Sequence, residues 1–279
     1  MTAPVQTAPG PSVAPAARRA HRPATVVDSV RAEWIKFRSV RSTYITIAIA
    51  VALTVGIGAL LSWAAASHYS TDASARVNWD PTGISLSGTF FAQLAISVLG
   101  VMFIAGEYAS GMVRTSLAAV PRRWRFLAAK CAVFAVVILV IGEITAFAAF
   151  LIGQPIIGHW APNAALGDPG VARAVIGGGL YVTVIGLLAI AFGALLRNTA
   201  AGIAVMVGML FVIPLVSAAL PSSWRHPFQK WWPTNAGQQI GSVVRTAHTL
   251  SPWAGFAVFV GFTAIVLAIG FLFLNRRDA

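Results

Sequence analysis

"CAVFAVVILVIGEITAFAAFLIG" (131–153) carries a single charged residue, Glu143, in a run otherwise made of apolar and small side chains. A helix crossing the hydrocarbon of a bilayer needs roughly 20 such residues, and a buried charge within it is expensive. The stretch is therefore read as a membrane span, and it makes the rest of the chain legible by the same test. Between Arg41 and Asp72 no Asp, Glu, Lys or Arg occurs, and "YITIAIAVALTVGIGALLSWAA" (44–65) fills the gap. "LSGTFFAQLAISVLGVMFIAG" (86–106) lies between Asp80 and Glu107. "AVIGGGLYVTVIGLLAIAFGALL" (174–196) lies between Arg173 and Arg197. "GIAVMVGMLFVIPLVSAAL" (202–220) and "WAGFAVFVGFTAIVLAIGFLFL" (253–274) complete a set of six.

Composition supports the same class. The 279 residues are 57% hydrophobic and only 10% charged, with a mean hydropathy of +0.77. A soluble domain of this length would hold about a quarter charged residues. The net charge of +12 could suggest nucleic acid, but that reading needs a basic patch on a water-soluble module. Here the charges lie between apolar runs, so membrane topology accounts for them and no nucleic-acid partner is expected. The lone Cys131 excludes an internal disulfide and a multi-cysteine metal site. No zinc motif, no Ser/His/Asp grouping and no G-x-x-x-x-G-K-[ST] phosphate loop occurs, and no lysine follows a glycine.

Cytoplasmic loops collect Lys and Arg. With six spans, 15 of the 20 basic residues fall on the side of the two termini, which places both termini in the cytoplasm of a multi-pass plasma-membrane protein. "AAAS" (64–67) looks like a cleavage site, but the apolar run before it is longer than the 7–15 residues of a signal sequence and starts too late. The first span is expected to be retained. Residues 1–27 are rich in Ala and Pro without a period and read as a disordered cytoplasmic tail, leaving 28–279 as a six-helix domain.

"VDSVRAEWIKFRSVRSTY" (27–44) has Val30, Trp34, Phe37 and Arg41 at helical spacing, with Arg31, Glu33, Lys36 and Arg38 on the remaining surface. It predicts an amphipathic helix at the inner interface, or else a generic basic segment beside the first span. In 221–252, four prolines and Trp224, Trp231 and Trp232 predict one or two short helices dipping into the outer leaflet, with Asn235 as a cap. "GEYASGMVRTSLAAVPRRWRFLAAK" (106–130) predicts a short helix over 107–120, a stop at Pro121 and a basic collar. Glu107 and Arg114 come within about 20° of each other on that helix. The segment is either a passive positive-inside loop with a weak Glu107–Arg114 pairing or a surface built to be gripped. Glu143 is the one ionisable residue well inside a span, and intramembrane acids are candidates for function as well as for interhelical hydrogen bonds. Pro214 is expected to kink the fifth span.

These stretches resemble the type-2 ABC transporter permeases. The 106–130 stretch looks like their first cytoplasmic loop and "EWIKFRSVRSTY" (33–44) like their interfacial helix. "GALLRNTAAGIAVMVGMLFVIPLV" (193–216) and "WWPTNAGQQI" (231–240) resemble later segments, so the likeness covers nearly all of the chain after residue 28. Its order and spacing carry it more than any one motif. The nearest resemblance is to permeases of bacteria with GC-rich genomes, in keeping with 17 Arg against 3 Lys. It implies an all-α exporter-type transmembrane domain of six helices plus an interfacial helix. It further implies a separate nucleotide-binding ATPase that uses the ATP, no directly bound cofactor, and a second permease, identical or paralogous. Glu107, Arg114, Arg122 and Arg123 would then couple to the ATPase. Phe90, Phe91, Gln93, Ser97 and Glu143 would border a substrate path, although ordinary helix packing explains the same polar residues. An ion-driven secondary transporter would need more intramembrane charge or an internal repeat. A non-transporting membrane scaffold is the other alternative.

Overall fold

The computed structural model describes residues 25–71, 76–113, 123–244 and 246–277, and within these the side chains of Arg123 and of 274–277 are not described. Every long element in it is an α-helix, and six helices are long and apolar enough to span a membrane. The tail over residues 1–24 lies outside the described part.

Helix α1 (Val26–Ser39) starts one residue before the expected 27–44 stretch and stops five residues short of its end. Thr25 caps it through a reciprocal pair: its hydroxyl accepts from the Asp28 amide, and the Asp28 carboxylate accepts from the Thr25 amide. Val40 is extended, and α2 (Arg41–Ser67), the first span, begins directly after it. A short α3 (Pro81–Ser85) is capped by Asp80, and α4 (Thr89–Ala109) is the second span. The third span, α5 (Arg123–Gly158), is 36 residues long, or about 54 Å at the helical rise. It therefore takes Arg123 and Arg125 of the expected basic collar into its own first turn. Then come α6 (Val171–Leu196) and a fifth span made of α7 (Thr199–Val207), a π-helical turn (Gly208–Val212) and α8 (Ile213–Ser217). Two short helices, α9 (Ser222–Trp231) and α10 (Pro233–Gln238), precede the last span, α11 (Pro252–Arg277).

Helix α6 is the centre of the bundle. Its most apolar stretch is 72% buried against 22–50% for the other five, and it packs against α4, α5, α7 and α11. Small residues let the backbones close up: a Cβ on Gly100 of α4 would lie 2.7 Å from the Gly186 carbonyl of α6. Six crossings put the start of α2 and the end of α11 at one face of the bundle.

The opposite face is stitched by side chains to backbone. The Arg173 guanidinium donates to the carbonyls of Ile240 (2.6 Å) and Ser242 (2.8 Å). Gln154 donates to Pro81 O and Ser85 Oγ, each at 2.9 Å, and accepts from the Ala164 amide. The Asp80 carboxylate reaches the amides of Gly83 and Val243.

Pro214, expected to kink the fifth span, follows a π-turn. In the π-turn the Ile213 amide bonds to Gly208 O, so the next amide would serve Met209 O, and Pro214 has none to give. The Trp232 indole N–H supplies that bond at 3.1 Å and ties the fifth span to the α9–α10 corner. Those two short helices were expected, but Asn235 does not cap: Pro233 opens α10, and Trp232 precedes it without a side-chain bond.

Candidate functional site

Helix α4 runs past the expected boundary to Ala109, and Gly111, at φ 72°, ends it. Glu107 is thus in the last turn of the second span rather than on a separate loop helix. The segment 114–122, with Arg114, Arg122 and most of the predicted 107–120 helix, lies outside the described residues. Arg123 opens α5 and its side chain is not described.

Instead of being exposed, Glu107 is buried, and two lysines explain how. Its Oε1 accepts from Lys36 Nζ at 3.1 Å and from Lys130 Nζ at 2.9 Å. The same two lysines meet Glu33: Lys36 Nζ lies 2.9 Å from Oε1 and Lys130 Nζ 2.7 Å from Oε2. Two acids and two bases therefore alternate in a closed ring that joins α1, α4 and α5. Lys130 is its hub, since its side chain is fully buried while that of Lys36 is 29% exposed. Lys130 also donates to Phe103 O at 3.1 Å and sits 4.0 Å from the centroid of the Phe103 ring. Phe37, Phe103 and Phe134 pack edge-on or tilted beside it, with centroids 5.3–6.2 Å apart. Burial alone would lower the Lys36 ammonium. Its hydrogen bond to the Glu33 carboxylate and the charges of Glu33 and Glu107 outweigh that and raise its pKa above the ordinary lysine value.

Because α1 turns Ser29, Glu33 and Phe37 inward, its buried face differs from the Val30–Trp34–Phe37–Arg41 face read from periodicity. Trp34 is exposed, as an interfacial anchor should be. Glu33 and Lys36 were read as surface charge, and Lys130 only as one of the basic residues on the side of the termini. A compositional signal was present: the chain has three Glu and three Lys in total, and the ring uses two of each.

On the opposite face, Phe90 lines two cavities. One, of about 280 Å³, is bordered by Asp80, Ser87, Tyr181, Gln238 and Gln239. The other, of about 460 Å³, lies between the π-turn, α8, α9 and α10. Gln93 and Ser97 are buried within the bundle. Ser97 donates back to Gln93 O at 2.6 Å. The Gln93 Oε1 accepts from Tyr181 Oη at 2.9 Å, and Gln238 donates to the same hydroxyl at 3.2 Å, so a polar chain runs from the core to the cavity wall. Phe91 is exposed and meets Phe90 edge-on. Glu143 lines neither cavity. It packs on α6, where a Cβ at Gly179 would lie 2.6 Å from its carboxyl carbon, and its buried Oε2 has no hydrogen-bond partner among the described residues.

The fold defines a multi-pass α-helical membrane protein of six spans, with an ion-paired clamp where α1, the end of α4 and the start of α5 meet. A family model described as "ABC-2 family transporter protein" matches residues 29–219, and the chain belongs to that family: it is a transmembrane permease of an ABC transporter. No curated protein matches the chain. The match stops short of α9, α10 and α11.

Proposed function

We propose that this permease exports its substrate across the plasma membrane, with both termini in the cytoplasm, a separate nucleotide-binding ATPase docked at that face and a second permease, identical or paralogous, beside it. The chain itself hydrolyses nothing; ATP is used by the partner. The observation that carries this reading is the ring Glu33–Lys36–Glu107–Lys130. Residues 110–122 follow α4 and precede α5 in the chain, and the ring fastens both of these helices to α1. A push on that segment is therefore delivered to three helices at once. In this arrangement Arg114, Arg122 and Arg123 are the docking charges, while Glu107 is a positioning residue inside the clamp.

The membrane end of the stroke is α4, which runs without a proline from Glu107 back to Phe90 and Gln93. Its 21 residues span about 30 Å, so a tilt at one end moves the cavity wall at the other. To test this, the permease is isolated from its native membrane and co-purifying subunits with a phosphate-loop motif are sought. Vesicle transport is then measured with and without ATP. Arg114→Ala, Arg122→Ala and Arg123→Ala together should abolish the association and leave the permease folded. Glu107→Gln should keep the association and weaken ATP-dependent transport. Undiminished association and transport in the triple variant would overturn the docking assignment.

A further inference from the structure

The larger cavity has walls of two kinds. Phe90, Leu210, Phe211, Pro214 and Leu215 give it an apolar side, with Phe90 and Phe211 edge-on at 5.1 Å across the second and fifth spans. The other side is built on α9, where His226, Gln229 and Lys230 fall at i, i+3 and i+4 and so share one helix face. His248 faces them from the following loop. Its ring stacks on His226 with centroids 4.7 Å apart and planes 29° apart. Its backbone sits at φ 67°, a left-handed conformation uncommon outside glycine and concentrated at ligand clamps. No Asp or Glu lines this cavity, and Lys230 makes no ion pair among the described residues. A volume of about 460 Å³ is within the range of small-molecule sites.

An ammonium that only anchored the chain at an interface would not need two imidazoles converging with it. That anchoring is already supplied by Trp224 and Trp231, both exposed on the same helix. We propose that this cavity binds an anionic amphiphile, its phosphate or carboxylate head held by Lys230, His226 and His248 and its apolar body laid against Phe90, Phe211 and Leu215. The assignment deepens the export reading and rests on it for the ligand's passage, but not for its binding. The adjoining cavity shares Phe90, Gln238 and Gln239, and its one acid, Asp80, is occupied with backbone amides. An anion therefore meets its charge partners only in the larger one.

Two sources could supply such a molecule: a lipid of the surrounding leaflet, or an amphiphile delivered from water. The full-length permease is placed in nanodiscs of phosphatidylcholine, without any ATPase. In one arm, a long-chain alkyl phosphate is titrated against the same chain bearing phosphocholine, with Trp fluorescence as the readout. In the other, nanodiscs doped with phosphatidate are opened and the retained lipid is identified by mass spectrometry. The alkyl phosphate should bind at least about tenfold more tightly than its zwitterionic counterpart, or phosphatidate should be retained selectively. H226Q with K230Q should remove the preference in whichever arm shows it, and K230R should keep it. Absence of a preference in both arms, or its survival in the double variant, overturns the proposal. Because no ATPase is present, that failure would leave the coupling reading untouched.

Discussion

Replacing Lys130 with Met removes the hub of the charge ring while keeping most of the side-chain volume, so the loss is one of charge rather than packing. The lysine is fully buried and serves Glu33 at 2.7 Å, Glu107 at 2.9 Å and Phe103 O at 3.1 Å. Without it the ring holds two carboxylates and one ammonium, and Glu33 Oε2 loses its described partner. Breaking a buried pair by deleting one member costs about 3–5 kcal/mol, because an uncompensated charge stays in a dry site. Adding Glu107→Gln returns the ring to one acid and one base and leaves the 2.9 Å Glu33–Lys36 contact in place. The double variant should therefore recover at least about 1 kcal/mol over Lys130→Met alone. The assay is denaturant unfolding in mixed micelles, followed by Trp fluorescence, for the wild type, both single variants and the double. If Lys130→Met costs less than about 1 kcal/mol, or the double variant loses the sum of the singles, the four residues do not act as a ring.

Three further outcomes follow from the same geometry. The Lys36 ammonium has a folded pKa above its unfolded value near 10.5, so its contribution is fully present below that value and is lost as pH rises through the higher folded one. Unfolding at successive pH values should show a stability loss above about pH 10.5 that Lys36→Met lacks, and identical profiles would contradict the contact. Tyr181→Phe removes the hydroxyl that joins Gln93 to Gln238 and should cost about 1 kcal/mol in the same unfolding assay; a stabilised variant would argue against that chain. Gly179→Ala puts a methyl against the Glu143 carboxyl and should cost about 1–3 kcal/mol. The penalty should shrink without vanishing in a Glu143→Ala background, because the methyl also comes 2.8 Å from the Glu143 backbone nitrogen, and an equal penalty in both backgrounds would show that the carboxyl contributes nothing to it.

Spans were readable from the sequence because a membrane helix is specified by the absence of charge over a fixed length, a property that needs no knowledge of neighbours. All six appear, five of them shifted by about three residues at an end and the third extended from 131–153 to Arg123–Gly158. The charged ends were harder. Glu33 and Glu107 are 74 positions apart in the sequence, and nothing local tells that Lys36 and Lys130 will close a ring around them. Periodicity assigned Glu33 to a solvated face because its helix was judged by apolar residues alone. In a ring of matched charges a glutamate can occupy the buried face. The Pro214 region shows the same limit: a proline predicts an unpaired carbonyl, but the indole that satisfies it comes from 18 residues later and only the fold brings it there.

Under the proposed function, the two ends of α4 give the ring a part in transport beyond stability. Replacing buried ion pairs by apolar side chains is often neutral or stabilising, so four charges at a helix junction are a poor way to gain stability. They do make a junction that resists sliding, since each lysine bridges two carboxylates and no contact shifts without straining the next. The opposite end of α4 makes no ion pair among the described residues: beyond its packing on α2 at Gly88, Phe90 stands between two cavities, beside a π-turn without a complete α-helical ladder and two short helices. A helix rigidly clamped at one end and set among loosely built elements at the other moves its free end when the clamp turns. Under the proposed function, this polarity lets a force applied near Glu107 widen or close the space beside Phe90. A variant that loosens the clamp, such as Lys130→Met, should therefore uncouple ATP hydrolysis by the associated subunit from vesicle transport: hydrolysis should continue while transport falls. Parallel loss of both activities would mean instead that the ring serves only to hold the fold together.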